Sequence, residues 1–419
     1  MKKHLLALSA AAVLLAPQTV GAEGFSINEW SAEGFAMGGA RMFAENDAAN
    51  MAYNPASLTK VQGEKAKISV AYISPHGKWT ADTSDVGTAA GLSGTHTGHN
   101  RVNPAFAPGL YYVKQINDKE WLGMGTYARF GNMCQFERND IVASSAFSSR
   151  LNGVSLGMNY ARKHDNKWST SVGAEINYVG LVLDKNLYMY SPLHINGTSW
   201  ALGWNAAANY TFDDKNEFGV VYRSKVKHSM EAEYDVHGTL GMMTQGHNTG
   251  DAYGCVTLPE SWMLGYGHKF NDKTRMELNA TWTRWSRFDA LNIALTPGFT
   301  PGASMTPLGT ENMWKDGWRY AIGIEHKLSD KYSVMAGIAH DERGIPDEGA
   351  DFMVPTGERD TYSLGVQYHD KKHTVALALG YMDVGDMRMG NPHGSYAYNN
   401  AKMYDSYTKI FVLSYQYNF

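Results

Sequence analysis

Beyond its first residues the sequence has no long apolar run, only two cysteines in 419 positions, and no strong excess of either charge. Each shortage excludes a class. A membrane-spanning helix needs about 20 consecutive apolar residues, so a helical membrane protein is excluded. Two cysteines are too few to staple a disulfide scaffold. A net charge of −4 offers no basic face to nucleic acid. The 15 histidines fall without metal-ligand spacing, and no ATP-binding motif is present. No metal, cofactor or ATP-driven step is therefore implied.

The chain begins with a leader-like pattern and has an unusual abundance of certain residues. Met1-Lys2-Lys3-His4 is charged, Leu5 to Ala16 is apolar, and Val20-Gly21-Ala22 is a small-residue cleavage site. Residues 1–22 are expected to be a secretory signal peptide. The exported compartment permits a disulfide, and the spacing of Cys134 and Cys255 leaves their pairing open. The 25 Tyr, 11 Trp and 43 Gly suit a barrel with aromatic girdles and a closed, crowded interior. The mean hydropathy of −0.37 agrees, because a barrel strand is apolar on one face only.

One turn recurs six times: Asn117-Asp118-Lys119, Asp165-Asn166-Lys167, Asp213-Asp214-Lys215, Asn271-Asp272-Lys273, Ser329-Asp330-Lys331 and Asp370-Lys371. Its lysines are 48, 48, 58, 58 and 40 residues apart, which is one strand out, a loop and one strand back. Short Asp, Asn and Ser side chains bond to the local backbone and favour such turns. Between the turns, apolar and polar residues alternate. Val172, Ala174, Ile176 and Tyr178 oppose Ser171, Gly173, Glu175 and Asn177; Met276, Leu278, Ala280 and Trp282 oppose Glu277, Asn279, Thr281 and Thr283. Charges on lipid cost roughly 2–4 kcal/mol for Lys or Arg at mid-bilayer. Glu175, Arg223, Lys225, Glu277, Arg319 and Glu325 are therefore expected to face the lumen. The pattern predicts an all-β fold: a 14-stranded antiparallel transmembrane β-barrel over residues 65–419. A soluble β-sandwich shows similar alternation but fits the regular turns poorly. The last strand, Phe411 to Phe419, alternates and ends on an aromatic residue, like the signal read by the barrel assembly machinery.

The longer loops are expected at 76–104, 132–148, 185–198, 237–252, 286–316, 343–357 and 383–404. The fifth carries Phe288, Leu291, Ile293, Leu295, Phe299, Met305 and Leu308. That much apolar surface calls for a ligand, a partner or a lipid to cover it, or for the loop to fold back over the barrel. Residues 23–64 do not alternate like a strand and are expected to form an N-terminal hatch inside the lumen.

The mature start Gly24-Phe25-Ser26-Ile27-Asn28-Glu29-Trp30 resembles that of the FadL family of long-chain fatty acid transporters. So does Asp47-Ala48-Ala49-Asn50 followed by Asn54-Pro55-Ala56. Further matches are Leu258-Pro259-Glu260-Ser261-Trp262, Trp285-Ser286-Arg287-Phe288 and Gly337-Ile338-Ala339-His340-Asp341. The resemblance implies a cell outer-membrane location, capture of hydrophobic molecules by apolar loops, a binding site inside the barrel, and sideways exit beside a kinked third strand. It places Phe25 near the substrate path and Asn54, Pro55 and Ala56 in the hatch, and it makes Gly123 and Gly125 candidates for the kink. Phe288, Leu291, Ile293 and Phe299 are candidate substrate contacts. Arg223, Lys225, Lys227 and Arg319 are candidates for a carboxylate. No base stands at Gly309-Thr310-Glu311-Asn312, where the family leads one to expect a cation, so aromatic hydrocarbons stay open as cargo.

The expected function is a passive channel for hydrophobic compounds, most of all long-chain fatty acids. A single barrel acting as a monomer, membrane lipid and lipopolysaccharide around it, and the assembly machinery complete its expected partners. A general porin is the alternative, against which the plug-like 23–64 segment argues. An enzyme would need an oriented Ser–His pair; His393-Gly394-Ser395 lies in a glycine-rich loop, and the neighbours His228 and Ser229 would point to opposite faces of a strand.

Overall fold

The computed structural model describes residues 24–187, 191–238, 249–288, 292–296, 306–308, 313–391 and 394–419. The expected signal peptide lies outside them, as do Leu291 and Phe299. Fourteen strands form the wall: β1 (Glu64–Thr83), β2 (Ala105–Asn117), β3 (Glu120–Gln135), β4 (Ser148–Lys163), β5 (Trp168–Leu187), β6 (Ser191–Thr211), β7 (Asn216–Arg223 continued by Val226–Val236), β8 (Thr249–Leu258 continued by Ser261–Lys269), β9 (Thr274–Thr283), β10 (Gly317–Lys327), β11 (Tyr332–Asp341), β12 (Arg359–His369), β13 (His373–Val384) and β14 (Tyr398–Asn418). Neighbours pair antiparallel, and β14 closes on β1 from Lys65/Asn418 to Thr83/Tyr398.

Each of the six short turns uses the bond its sequence suggests. Asn117, Asp165, Asp213 and Asn271 accept from the backbone N–H of Lys119, Lys167, Lys215 and Lys273, Ser329 accepts from Lys331, and Asp370 accepts from Lys372. All six lie at one end of the barrel and the long loops at the other. The expected loop at 185–198 is mostly wall, since β5 runs to Leu187 and β6 starts at Ser191.

Alternation places Leu202, Met158, Leu364, Leu413 and many other large apolar residues on the outer face. Aromatic clusters border this belt at both ends. Tyr178–Trp200, Trp204–Tyr222 and Tyr222–Trp262 flank it toward the loops, and Trp168–Tyr210 and Tyr332–Tyr368 toward the turns.

Two wall strands reverse their alternation together. Ser224-Lys225 in β7 lies opposite Pro259-Glu260 in β8, between the pairs Arg223/Ser261 and Val226/Leu258. Proline offers no N–H and interrupts a ladder. Arg223 therefore points inward, whereas Lys225 and Lys227 are exposed on the outside. This corrects the expectation that Lys225 faces the lumen.

Residues 24–61 lie inside the wall and touch it on all sides. Ser31 caps the short helix α1 (Ala32–Ala36), and Ala32 N–H donates to Ser414 on β14. Glu277 on β9 accepts from the Met42 and Phe43 backbone. Arg223 on β7 donates to the Ala52 carbonyl. Asn54 is buried and caps the 3₁₀ turn Pro55–Lys60, with Pro55 at its first position, by accepting from Ala56 N–H; its amide donates to Met42 O and to Asn209 on β6. Ala56 packs with Met42, Phe43 and Val221.

Candidate functional site: an apolar cluster beside a break in the wall

The ladder between β2 and β3 ends at Leu110/Thr126. Beyond it β3 continues to pair with β4 through a bulge at Arg129, while its other edge loses β2. Edge strands seek a new partner, and here it is the chain's own start. Ser26 bridges Phe130, Ile27 N–H donates to Arg129 O at 2.9 Å, and Gly131 N–H donates to Phe25 O at 2.8 Å. The Trp30 indole donates to Ala128 O at 2.6 Å.

The kink has a signal that sequence reasoning passed over. Pro108 stands mid-strand in β2, two residues from the last pair, and cannot donate to a ladder. Gly125 is one residue short of that end, and a Cβ there would meet Tyr111 at 2.8 Å. Gly123 lies within the regular ladder. A Cβ on it would stand 2.4 Å from the Met51 sulfur, so it makes room for the N-terminal segment rather than a bend.

Phe25 is buried in an aromatic cage. Its ring meets Phe130 at 5.9 Å, Trp285 at 4.8 Å, Phe288 at 5.0 Å and Trp314 at 6.0 Å, all edge to face, the arrangement aromatic quadrupoles favour. Phe288 and Trp314 come from the fifth long loop, and Trp285 from the turn that leads into it; the loop folds back into the barrel. Ile293 and Leu295 of the same loop are also buried, on a short strand (Asn292–Thr296) that pairs with upper β8. The apolar packing continues upward through Leu181, Leu183, Leu193, Val226, Met230 and Phe352. Phe352 belongs to the sixth loop, where Cys134 donates its thiol to the Phe352 carbonyl. Cys134 is buried, Cys255 is exposed and the two are not bonded.

Polar groups border this packing: Arg359 donates to the Gly24 carbonyl at 2.9 Å, and the buried Asp351 carboxylate accepts from the Tyr396 hydroxyl at 3.0 Å. Beneath the cage, Arg129 and Arg223 share the single carboxylate of Glu175, which also accepts from Tyr127 and Asn205. A cavity of about 40 Å³ lies between these arginines, Trp30 and Phe130. Arg319 is held elsewhere, by Asp341 at 3.0 Å and the Gly38 carbonyl at 2.6 Å. Lys185, which sequence reasoning assigned to a loop, is on the same face of β5 as Leu181 and Leu183, with its ammonium 5.4 Å from the Tyr396 ring.

Toward the turns the lumen is different. Arg41 pairs with Asp47 at 3.1 Å and Glu325 at 3.2 Å, Lys67 pairs with Glu33 and Asp47 at 2.8 Å, and Arg275 joins Glu325 at 2.7 Å. A polar pocket of about 550 Å³ opens below them.

A closed barrel with an apolar outer belt, an occluded lumen and an apolar cluster packed under its loops defines an outer-membrane β-barrel of the transport class. The chain belongs to the outer membrane protein transport protein (OMPP1/FadL/TodX) family, whose model matches residues 12–419. It is 25% identical over 421 residues to a long-chain fatty acid transport protein of Escherichia coli K12, covering 90% of this chain and 91% of the relative. A Pseudomonas aeruginosa FadL homologue has the same fold (TM-score 0.84, 19% identity, 94% of this chain and 100% of that one). So does the P. putida toluene transporter TodX (TM-score 0.72, 15% identity, 94% and 99%).

Proposed function

We propose that this protein is a passive outer-membrane channel for hydrophobic compounds, with long-chain fatty acids as its main cargo. One observation carries the reading: the apolar cluster around Phe25, which parts to form the ligand chamber, adjoins the break in the β2–β3 ladder, whereas the axial way down is filled by buried ion pairs. An acyl chain stabilised by roughly 0.8 kcal/mol per buried CH₂ has no reason to enter the charged half. Sideways exit past β3 keeps it out of water. Residues 23–64 act as the hatch, and withdrawal of Phe25 from its cage opens the path. Lys185 receives the carboxylate near the loops, and the surplus positive charge of Arg129 and Arg223 over Glu175 lies at the inner end. Phe288 and Ile293 line the route, while Lys225 faces outward and Arg319 is held by Asp341 and the Gly38 carbonyl, so neither meets the headgroup. The channel works as a monomer set in lipid and lipopolysaccharide, assembled through its terminal strand.

A second reading, transport of monoaromatic hydrocarbons, is favoured by the cage itself, which already holds one phenyl ring. Displacement of a fluorescent fatty acid from the purified barrel separates the two. Unlabelled oleic acid outcompeting both toluene and oleyl alcohol supports the fatty acid channel. Equal competition by toluene supports the broad one, and absence of any binding leaves a porin.

A further inference from the structure

His228 lies on the inward face of β7 between Val226 and Met230 and is fully buried. Both neighbours and the cross-strand Val256 belong to the apolar packing that includes Phe25, Trp285 and Phe288. Among the described residues neither ring nitrogen has a side-chain or backbone partner in hydrogen-bonding geometry; the polar group that reaches toward the ring is the Ser199 backbone. A neutral imidazole carries one donor and one acceptor, so even with Ser199 engaged one nitrogen stays unmet among the described residues. Leucine would fill the place without stranding a polar group.

We infer that His228 is a specificity-determining residue that hydrogen-bonds the polar head of a long-chain amphipathic ligand, a carboxylic acid or an alcohol, deep in the chamber. The inference rests on the chamber being the ligand's path. Lys185 pairs with Leu193, which pairs with Val236. His228 is eight residues further from the loops along β7, about 26 Å at the rise of a strand. A headgroup entering from the loops meets Lys185 first and His228 second.

The test is displacement of a fluorescent fatty acid from the full barrel by palmitic acid, 1-hexadecanol and hexadecane. It is run on the wild type, His228→Leu and His228→Gln, each checked for the compact form by heat-modifiable gel mobility. Wild type should prefer acid and alcohol over the alkane. His228→Leu should lose about fivefold to tenfold of that preference, the scale of one hydrogen bond, with hexadecane binding unchanged or tighter. His228→Gln should keep most of it. His228→Met replaces the leucine variant should the latter not fold. An apolar variant with the wild-type preference overturns the inference and leaves the channel reading intact. A wild type that binds none of the three compounds sinks both.

Discussion

Above Glu175 the lumen is filled by Phe25, Trp285, Phe288, Trp314 and Leu295; below it, Arg41, Asp47, Lys67, Glu33, Arg275 and Glu325 do the same work. Both halves are filled by side chains and both hold parts of one N-terminal segment, yet they yield differently. Aromatic contacts are non-directional enough for another apolar group to take the place of Phe25. A buried ion pair has no such substitute, because removing one partner strands a charge. The difference assigns movement to the upper half and anchorage to the lower.

The largest test breaks the lower half. Arg41→Ala leaves Asp47 and Glu325 without one of their partners in a buried site, a loss of about 3–5 kcal/mol. Single-channel conductance should rise and the N-terminal segment should become open to protease, because its anchor is gone. A variant as tight and as resistant as wild type would mean that the network is not what holds the segment.

A smaller test sharpens the upper half. Lys185→Met keeps the apolar stem and removes the ammonium, which is worth about tenfold or more toward a charged headgroup. Preference for oleic acid over oleyl alcohol should fall by that factor, while toluene binding and barrel stability stay put. Loss of toluene binding as well would show that Lys185 shapes the chamber instead of reading the headgroup.

The barrel was legible in the sequence because its rules are local. Asp165 or Asn271 fixes a turn within three residues, and Glu175 or Glu277 faces inward because alternation and lipid leave no other side. Local rules stop where a partner strand intervenes. Pro259 in β8 breaks the ladder for β7 too, so Lys225 turns outward although its own strand gives no sign. Alternation also tells which way Arg319 points but not that Asp341 and Gly38 already hold it. Lys185 was hidden for a plainer reason: β5 runs on past the membrane belt, and its upper end reads like a loop. The β2–β3 break was visible in Pro108, whose weight only the missing ladder reveals.

Two carboxyls of the N-terminal segment give the smallest effect and opposite signs. Burial would raise the Asp47 carboxyl, but Lys67 and Arg41 outweigh it and hold the group well below the usual carboxylate range. A depressed carboxyl contributes its full stability above that range and loses it as pH falls through the folded-state value, so the lower half should change only in strong acid. Glu29 lies in the stretch that bridges β3, and there burial prevails over its bonds to the Asn28 backbone and the distant Arg319, raising the carboxyl. A raised carboxyl binds its proton more tightly when folded. Stability is therefore gained as pH falls from its raised value toward the ordinary carboxylate range. Amide exchange at Ile27 and Gly131, corrected for intrinsic rate, should slow several-fold on mild acidification and stay flat in Glu29→Gln. Amides of the Arg41–Asp47 stretch should not respond over the same interval. Equal slowing in both stretches would show that the segment moves as one body and that the division between a yielding upper half and an anchored lower half does not hold.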